Sequence, residues 1–283
     1  MAKELWTHTP SDVLRFRSGS KISDLDTNSS PGFSGKREDA GKITTEREEQ
    51  FAELQEMLYA NAREGDHRSV LLVLQGMDTA GKGGIVTHVV AAGNPMGIDY
   101  HSFGKPTPEE RSHHFLWRIN KSLPPAGHIG VFDRSHYEDV LVVRVHELVG
   151  PDELDGRYDE INTFEKELAE AGTTIVKVAM FVSLEEQKAR LTERLQRPDK
   201  FWKYNPGDLD ERKLWPAYQE AYQVMLERTS TDQAPWFVLP CDKKWYARLA
   251  VTELLIEAMA AMNLSWPEAD FDLEAERKRV AEL

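Results

Sequence analysis

One stretch of the chain, SVLLVLQGMDTAGKGG at residues 69–84, constrains its fold more than any other. The apolar run that opens the stretch is typical of a central parallel strand covered on both faces. A GxxxxGK pattern from Gly76 to Lys82 follows directly. Its glycines allow backbone N–H groups to converge on phosphate oxygens, and a helix starting there adds the positive end of its dipole. The stretch therefore predicts a strand, a phosphate-binding loop and a helix, and the buried run makes a chance glycine-rich turn the weaker interpretation.

The loop departs from the usual pattern at Gly83, where a serine or threonine hydroxyl normally holds magnesium. Another oxygen ligand is then needed, and the carboxylate of Asp78 is a hard donor suited to Mg²⁺. The alternative is that Asp78 is only a turn residue. We favour the metal role, because a carboxylate amid anion-binding backbone would repel phosphate unless a cation lay between them. Lys82 then supplies positive charge to the phosphate undergoing transfer.

A second motif, IGVFDRSHYEDV at residues 129–140, places charged residues directly after another apolar strand. Asp133 stands where phosphate-loop enzymes carry a second magnesium carboxylate, and Arg134 is suited to stabilise charge on a transferring phosphoryl group. Glu138 and Asp139 follow a few residues later. They are candidates for orienting water, metal or substrate, and a solvated helix start is an almost equal alternative.

A basic segment, KARLTERLQRPDKFWK at residues 188–203, contains six basic and two acidic residues. Helical spacing places its three arginines along one face. A mobile basic flap over a phosphate site fits this pattern, since closure excludes water and adds guanidinium groups. An ordinary solvated helix face is the alternative. The cations assigned to this lid are Arg190, Arg194, Arg197, Lys200 and Lys203.

Strand-like and helix-like segments alternate along the rest of the chain. Further strands are expected at IDYHSF, HIGVFD, TTIVKVAMFVS and PWFVLP, with helices at TPEERSHHFLWRINKSL, EEQKARLTERLQR and KKWYARLAVTELLIEAMAAM. Thr107 and Glu110 form a capping box for the first of these helices, as Thr45 and Glu48 do for a helix to about residue 63. The alternation predicts an α/β fold, a three-layer α/β/α sandwich with a mainly parallel sheet.

Composition shifts divide the chain into segments. We expect an extended N-terminal arm at 1–44, a catalytic domain at 45–265 with its lid at about 188–213, and a C-terminal tail at 266–283. The tail is polar and is expected to lie on the surface.

Composition and charge exclude several classes of protein. The net charge is −13, from 35 Lys+Arg against 48 Asp+Glu, and such a field repels nucleic acid. The single cysteine, Cys241, rules out a disulfide framework and a zinc cluster and fits a reducing compartment. Because no apolar run reaches the length of a membrane span and the first residues lack a signal-type apolar core, we expect a cytoplasmic protein without a membrane partner.

Taken together, these motifs resemble polyphosphate kinase family 2 from about residue 45 to about residue 265. The segments that carry the resemblance are GMDTAGKGG, VFDRSHYEDVLVVRV, RLQRPDKFWKYNPGDLDER and DKKWYARLAV. The resemblance implies a P-loop kinase-like fold, related to thymidylate kinases, with a helical lid. It implies transfer of the terminal phosphate of inorganic polyphosphate to nucleotides with Mg²⁺, or with Mn²⁺ as the alternative ion. It also suggests a homo-oligomer, either a dimer or a tetramer.

The resemblance further implies roles for individual residues. Asp78 and Asp133 would hold the metal ions, and Glu138-Asp139 resembles the class III branch, which accepts both nucleoside mono- and diphosphates. The residues assigned to catalysis are Asp78, Lys82, Asp133, Arg134 and Arg190. The residues assigned to phosphate or nucleotide binding are Gly76, Gly81, Lys82, Gly83, Gly84, Glu138, Asp139, Arg194, Arg197, Lys200 and Lys203.

The residues are also compatible with two other functions. An ATP-dependent nucleoside or nucleotide kinase of the same fold would use ATP as donor and need no long basic track. A regulatory module would bind nucleotide without transferring a phosphoryl group.

Overall fold

The computed structural model describes residues 5–283, and its centre is a five-stranded sheet with the order β2-β3-β1-β4-β5. All four neighbouring pairs are parallel. The strands are β1 (Ser69–Gly76), β2 (Ile98–Ser102), β3 (Ile129–Asp133), β4 (Thr173–Phe181) and β5 (Trp236–Pro240). Every residue of β1 is buried, because this strand lies at the centre of the sheet and is covered on both faces.

Helices cover both faces of the sheet, which confirms the predicted three-layer α/β/α sandwich. Within the described residues they are α1 (Pro10–Leu14), α2 (Arg37–Arg63), α3 (Lys82–His88), α4 (Pro108–Arg111), α5 (Trp117–Asn120), α6 (Glu138–Val145), α7 (Pro151–Glu170), α8 (Leu184–Gln196), α9 (Gly207–Lys213), α10 (Trp215–Thr229), α11 (Lys244–Ala260) and α12 (Leu273–Ala281). Alternate residues of β1 point into two cores: Leu72 packs with α2, α3 and α11, whereas Leu71 and Val73 pack with α6, α7 and α10.

The N-terminal part of the chain differs from the prediction. Helix α2 begins at Arg37, and the capping box predicted at Thr45 and Glu48 is wrong, because both residues lie inside this helix. The carboxylate of Asp39 accepts a hydrogen bond from the Lys36 backbone N–H at 3.1 Å and so caps the earlier start. The described part of the segment before it, residues 5–36, is not simply extended either. It contains α1 and a 3₁₀ turn at Ile22–Asp24, and it packs on the core through three buried side chains, Leu14, Phe16 and Phe33.

Other element predictions were correct in place and wrong in extent. Thr107 Oγ1 accepts from the Glu110 N–H at 3.2 Å, which confirms the predicted capping box, but the helix ends after one turn and a second short helix, α5, follows. The C-terminal segment contains α12, an exposed helix that the polar composition did not predict. Across residues 5–283, no helix is both long enough and apolar enough to cross a membrane.

Candidate active site

The carboxyl ends of the parallel strands bring the two predicted motifs together. Leu74 of β1 pairs with Asp133 of β3, so the residues that follow each strand emerge side by side. The loop between β1 and α3 needs its glycines for two different reasons. A Cβ on Gly76 would lie 2.7 Å from the Met180 carbonyl oxygen of β4, and Gly81 has φ +117°, which strains any other residue. The local sequence therefore produces the predicted loop and the start of α3 at Lys82.

Lys82 lies at the centre of this site and is almost fully buried. Its Nζ donates to the Gly76 carbonyl oxygen at 2.5 Å, beneath the phosphate-binding loop. Burial lowers the pKa of Lys82, and the neighbouring Arg134 lowers it further, while three nearby carboxylates oppose the shift. A phosphate oxygen at the mouth of the loop would therefore meet a partly desolvated ammonium group, whose attraction is stronger than in water.

Arg134 follows β3 in an unusual backbone conformation. Its φ is +64°, in the left-handed region, and its N–H donates to the Leu74 carbonyl oxygen at 3.0 Å. Its Nη2 donates to Asp78 Oδ1 at 2.9 Å, which connects the two motifs through an ion pair. Although burial opposes it, the carboxylates of Glu138, Asp78 and Asp133 together raise the pKa of Arg134, so the guanidinium stays charged.

Glu138 stands at the first turn of α6, on the same side of the sheet ends. Burial raises the pKa of its carboxyl group, and the positive charges of Arg134 and Lys82 oppose that shift. Two cations and three carboxylates therefore share one region, as the predicted site requires. These residues are Lys82, Arg134, Asp78, Asp133 and Glu138.

The carboxylates in this region fit a divalent metal ion that draws only part of its ligands from protein. Asp78 keeps one oxygen free of its ion pair with Arg134, and among residues 5–283 Asp133 makes only a weak side-chain contact, from the Tyr100 hydroxyl at 3.4 Å. Within residues 5–283 no cluster of three or more His, Cys, Asp or Glu side chains is arranged to hold a metal. Mg²⁺ suits such a sparse donor set, because it is commonly bound by one or two carboxylates together with water and substrate phosphates.

A cationic cavity of about 280 Å³ lies on one side of the phosphate-binding loop. It is bordered by the backbone of Thr79–Gly81 and by the first turn of α3, including Gly83 and Gly84. Among the described residues its lining carries six Lys and Arg side chains, against one carboxylate, Glu193. The six cations are Arg190, Arg194, Lys200, Lys203, Lys244 and Arg248.

Most lid cations already have partners in this structure. Lys200 donates to Glu193 Oε1 at 2.5 Å, and Arg194 donates to Asp208 Oδ2 at 3.2 Å. The Lys203 ammonium lies 4.8 Å from the ring centre of Trp202, an exposed side chain. These contacts are local and partly exposed, so phosphate oxygens of a chain in the cavity could replace them at a modest cost in free energy.

Arg190 differs from the other lid cations because it is buried beneath the loop. Its Nη1 donates to the carbonyl oxygens of Thr79 at 2.8 Å and Ala80 at 3.1 Å. Its Nη2 donates to the carbonyl oxygens of Cys241 at 2.5 Å and Asp242 at 3.2 Å. In this arrangement Arg190 ties the phosphate-binding loop to the end of β5, and its catalytic role stays a prediction.

An acidic cavity, also of about 280 Å³, lies on the other side of the loop. Its lining, within the part of the chain described, carries four carboxylates and one guanidinium, Arg134. The carboxylates are Asp78, Glu138, Asp208 and Glu211. The lining also includes aromatic and aliphatic side chains, namely Tyr218, Tyr222, Leu141 and Val142.

Four of the residues assigned from sequence line neither of these cavities: Lys82, Asp133, Asp139 and Arg197. Lys82 and Asp133 belong to the charged region at the strand ends described above, whereas the other two lie in separate ion-pair clusters. Asp139 lies 3.4 Å from Arg118 Nη2 and 3.7 Å from Arg157 Nη1, so its carboxylate joins a separate ion-pair cluster. Arg197 is half exposed and pairs with Glu193 and Asp199. The binding roles assigned to Asp139 and Arg197 remain predictions, and in this structure both side chains form local ion pairs.

Sequence reasoning missed several residues that line the cavities. In the cationic cavity these are His88 and Arg248. Lys244 and Arg248 are four residues apart on α11, so helical spacing predicts that they share one face. In the acidic cavity they are Asn205, Asp208, Glu211, Tyr218 and Tyr222, which come from α9, α10 and the turn before them.

Comparison with known proteins agrees with this geometry. The family model for polyphosphate kinase 2 matches residues 35–267. The chain is 42% identical over 246 residues to an AMP/ADP-polyphosphate phosphotransferase from Meiothermus ruber, covering 87% of this chain and 91% of the relative. It is 39% identical to an ADP-polyphosphate phosphotransferase from Rhodopseudomonas palustris, with 83% of each chain covered. It superposes on the crystal structure of polyphosphate kinase 2 from Arthrobacter aurescens TC1 with a TM-score of 0.96 and 51% identity, covering 98% of both chains. The protein whose two motifs meet at this loop thus belongs to the polyphosphate kinase 2 family.

Proposed function

We propose that this protein transfers the terminal phosphate of inorganic polyphosphate to AMP and to ADP, with Mg²⁺ as its metal ion. The observation that carries the proposal is the pair of cavities of opposite charge on either side of one phosphate-binding loop. The names of the two curated relatives, which act on AMP, ADP and polyphosphate, support the same substrates.

The cationic cavity suits the polyphosphate donor. Six positive side chains beside the loop create a strongly favourable field for a linear polyanion in a chain whose net charge is −13. The first turn of α3 borders this cavity, so backbone N–H groups and the helix dipole add to that attraction. An ATP-dependent kinase would not need such a concentration of cations beyond the loop.

The acidic cavity suits the nucleotide acceptor. Its aromatic and aliphatic side chains offer an apolar surface for a nucleoside, as small-molecule sites commonly do. Its carboxylates would repel the nucleotide phosphates unless a divalent cation lay between them, which fits a metal held by Asp78 and Asp133. Mg²⁺ bound there would neutralise phosphate charge and align the two substrates.

The reaction needs positioning and charge neutralisation more than acid–base chemistry. An acceptor phosphate oxygen attacks the terminal phosphorus of polyphosphate, a new P–O bond forms, and the bond to the next bridging oxygen breaks. The shortened chain leaves with that oxygen, and the acceptor gains one phosphoryl group. Lys82 and Arg134 are placed to stabilise charge on the group in transfer. Because the acceptor oxygen is already ionised near neutral pH, no strong general base is required.

The donor is tested by incubating the purified protein with AMP or ADP, Mg²⁺, and either polyphosphate or ATP. We expect polyphosphate to convert AMP to ADP and ADP to ATP, as measured by anion-exchange chromatography. ADP formed from AMP with ATP but not with polyphosphate would overturn the proposal in favour of an ATP-dependent kinase. Nucleotide binding without turnover from either donor would indicate the regulatory module. A parallel series with EDTA, Mg²⁺ and Mn²⁺ identifies the metal.

A further inference from the structure

A buried ion pair lies beneath the candidate site without lining either cavity. Glu165 of α7 and Lys177 of β4 have exposed fractions of 1% and 0%. Lys177 Nζ donates to Glu165 Oε2 at 2.5 Å and to the Thr229 carbonyl oxygen at 2.7 Å. Two charges removed from water need a full set of hydrogen-bond partners. This pair therefore joins α7, strand β4 and the end of α10 through fixed contacts.

The segment after Arg134 is anchored to this pair by two buried side chains. The Tyr137 hydroxyl donates to Glu165 Oε1 at 2.6 Å and accepts from Lys177 Nζ at 2.8 Å. His136 Nε2 lies 3.2 Å from the same Glu165 oxygen. Burial and the neighbouring Glu165 raise the pKa of Tyr137, so its hydroxyl remains a donor.

The anchored segment includes the strained backbone of Arg134, with φ of +64°. A non-glycine residue in the left-handed region persists only where its surroundings hold it there. Upstream, the Arg134 N–H is bonded to Leu74 of β1. Immediately downstream, Ser135 Oγ accepts from Gln75 Nε2 at 3.3 Å, and the Tyr137 contacts follow.

We propose that Tyr137, held by the Glu165–Lys177 pair, is a positioning residue for phosphoryl transfer. It maintains the turn that aims the Arg134 guanidinium at the reacting phosphate. A buried ion pair is weak support for stability, since apolar side chains of similar volume often stabilise a core as well. The location of this pair directly behind the strained turn at Arg134 is explained if the pair holds that turn in place for catalysis. The inference rests on the role in transfer proposed above for Arg134.

The test compares Tyr137→Phe with Tyr246→Phe. Each change removes one hydroxyl from a fully buried tyrosine. The Tyr246 hydroxyl donates to the Pro31 carbonyl oxygen at 2.8 Å, so its loss also removes a hydrogen bond, a partly buried one to the N-terminal segment. Tyr137→Phe leaves Lys177 bonded to Glu165 and to Thr229, so no buried charge loses all of its partners.

We expect Tyr137→Phe to lower kcat about tenfold, because small misplacements of a catalytic group have effects of this size. The KM values for AMP and polyphosphate should change less than twofold, and Tm should fall by a similar amount in both variants. Equal kcat values for Tyr137→Phe and Tyr246→Phe would overturn the inference.

An Arg134→Ala variant tests the assigned site separately from the positioning role of Tyr137. If Arg134→Ala retains near-normal kcat, the proposed site is wrong. If Arg134→Ala is inactive while Tyr137→Phe behaves like Tyr246→Phe, the site stands and the positioning role alone fails. Should the wild-type protein use ATP and not polyphosphate, the same comparison is made with ATP as donor.

Discussion

At the scale of single residues, the site depends on groups whose charge is set by burial and by one another. Lys82 is driven toward its neutral form by burial, whereas Arg134 is kept charged by the carboxylates around it. Glu138 is pushed toward its protonated form, again by burial. Groups perturbed in this way at one place in a structure are typical of a catalytic site.

Replacement of Lys82 by methionine tests its assigned role. Methionine has similar volume, so we expect Lys82→Met to fold, while kcat falls by roughly 10²–10³-fold through loss of charge stabilisation in the transition state. Lys188→Met, which changes an exposed lysine of α8, is the control and should retain wild-type kcat. The role assigned to Lys82 would be refuted by a steady-state kcat in Lys82→Met within a few-fold of the control.

Replacement of Glu138 by glutamine should separate stability from activity. Since the folded state raises the pKa of Glu138, its protonated form is favoured by folding. Its stabilising contribution is present below the unfolded pKa and is lost as pH rises through the folded value. Glu138→Gln mimics the protonated form, so we expect a higher Tm than wild type at pH 8, a smaller difference near pH 5, and lower kcat.

Thermal unfolding at the two pH values, with an exposed Glu185→Gln control, checks this prediction. A Glu138→Gln variant less stable than wild type at pH 8 would contradict it.

At the scale of elements, the segment predicted as a lid contains the end of α8, a 3₁₀ turn at Pro198–Lys203 and α9, and four of its cations line the cationic cavity. Arg194 of α8 reaches Asp208 of α9, so one ion pair connects the linings of both cavities. Arg190, from the same helix, instead binds four carbonyl oxygens under the loop. Helical spacing predicted that these arginines share one face of α8. Burial separates them: Arg190 is fixed by backbone carbonyl oxygens, whereas Arg194 can exchange its partner.

The lid cations that can exchange their partners should control the dependence of turnover on salt. We expect the double substitution Lys200→Gln and Lys203→Gln to raise KM for polyphosphate several-fold and to weaken its increase with ionic strength, because fewer screened attractions remain. Lys213→Gln, at an exposed position of α9 paired with Asp210, is the matched control. Identical salt slopes for the double variant and the control would favour a plain surface helix.

At the scale of the whole molecule, the N-terminal segment packs on the core in its described part, residues 5–36. The Phe16 N–H donates to the Trp236 carbonyl oxygen at 2.8 Å at the start of β5. Phe33 is buried against Trp6 and Trp245, with ring centres 5.0 and 5.8 Å away. Large aromatic side chains contribute much of the apolar area buried in a core, so this cluster fastens the segment to α11.

Removal of the Phe33 ring should therefore destabilise the protein without altering its chemistry. We expect Phe33→Ala to lower the free energy of unfolding by about 3 kcal/mol, through lost burial and the cavity left behind. KM values should stay close to wild type at temperatures where the variant is folded. Phe271→Ala, at an exposed position, serves as the control in denaturant unfolding. A loss below about 1 kcal/mol for Phe33→Ala would mean that the segment is only loosely attached.

Much of the fold followed from patterns that act locally. The apolar run before Gly76 predicted the central strand, since such a run needs cover on both faces. The capping box at Thr107 predicted the start of α4, because its two hydrogen bonds join residues three positions apart. The start of α2 could not be decided in this way, because Thr45 and Glu48 also suit a helix interior and Asp39 supplied an equally local cap.

By itself, the sequence determined the phosphate-binding loop, the alternation of strands and helices, and the second motif, which follows β3. Each of these depends on backbone geometry and on neighbours within a few residues. Only the tertiary structure decided which cations line a cavity, that Arg190 is buried, and that Tyr137 is tied to Glu165 and Lys177. Those contacts join residues 28 to 111 positions apart. Their free energy depends on how far each group is removed from water, which cannot be predicted from neighbouring residues in the sequence.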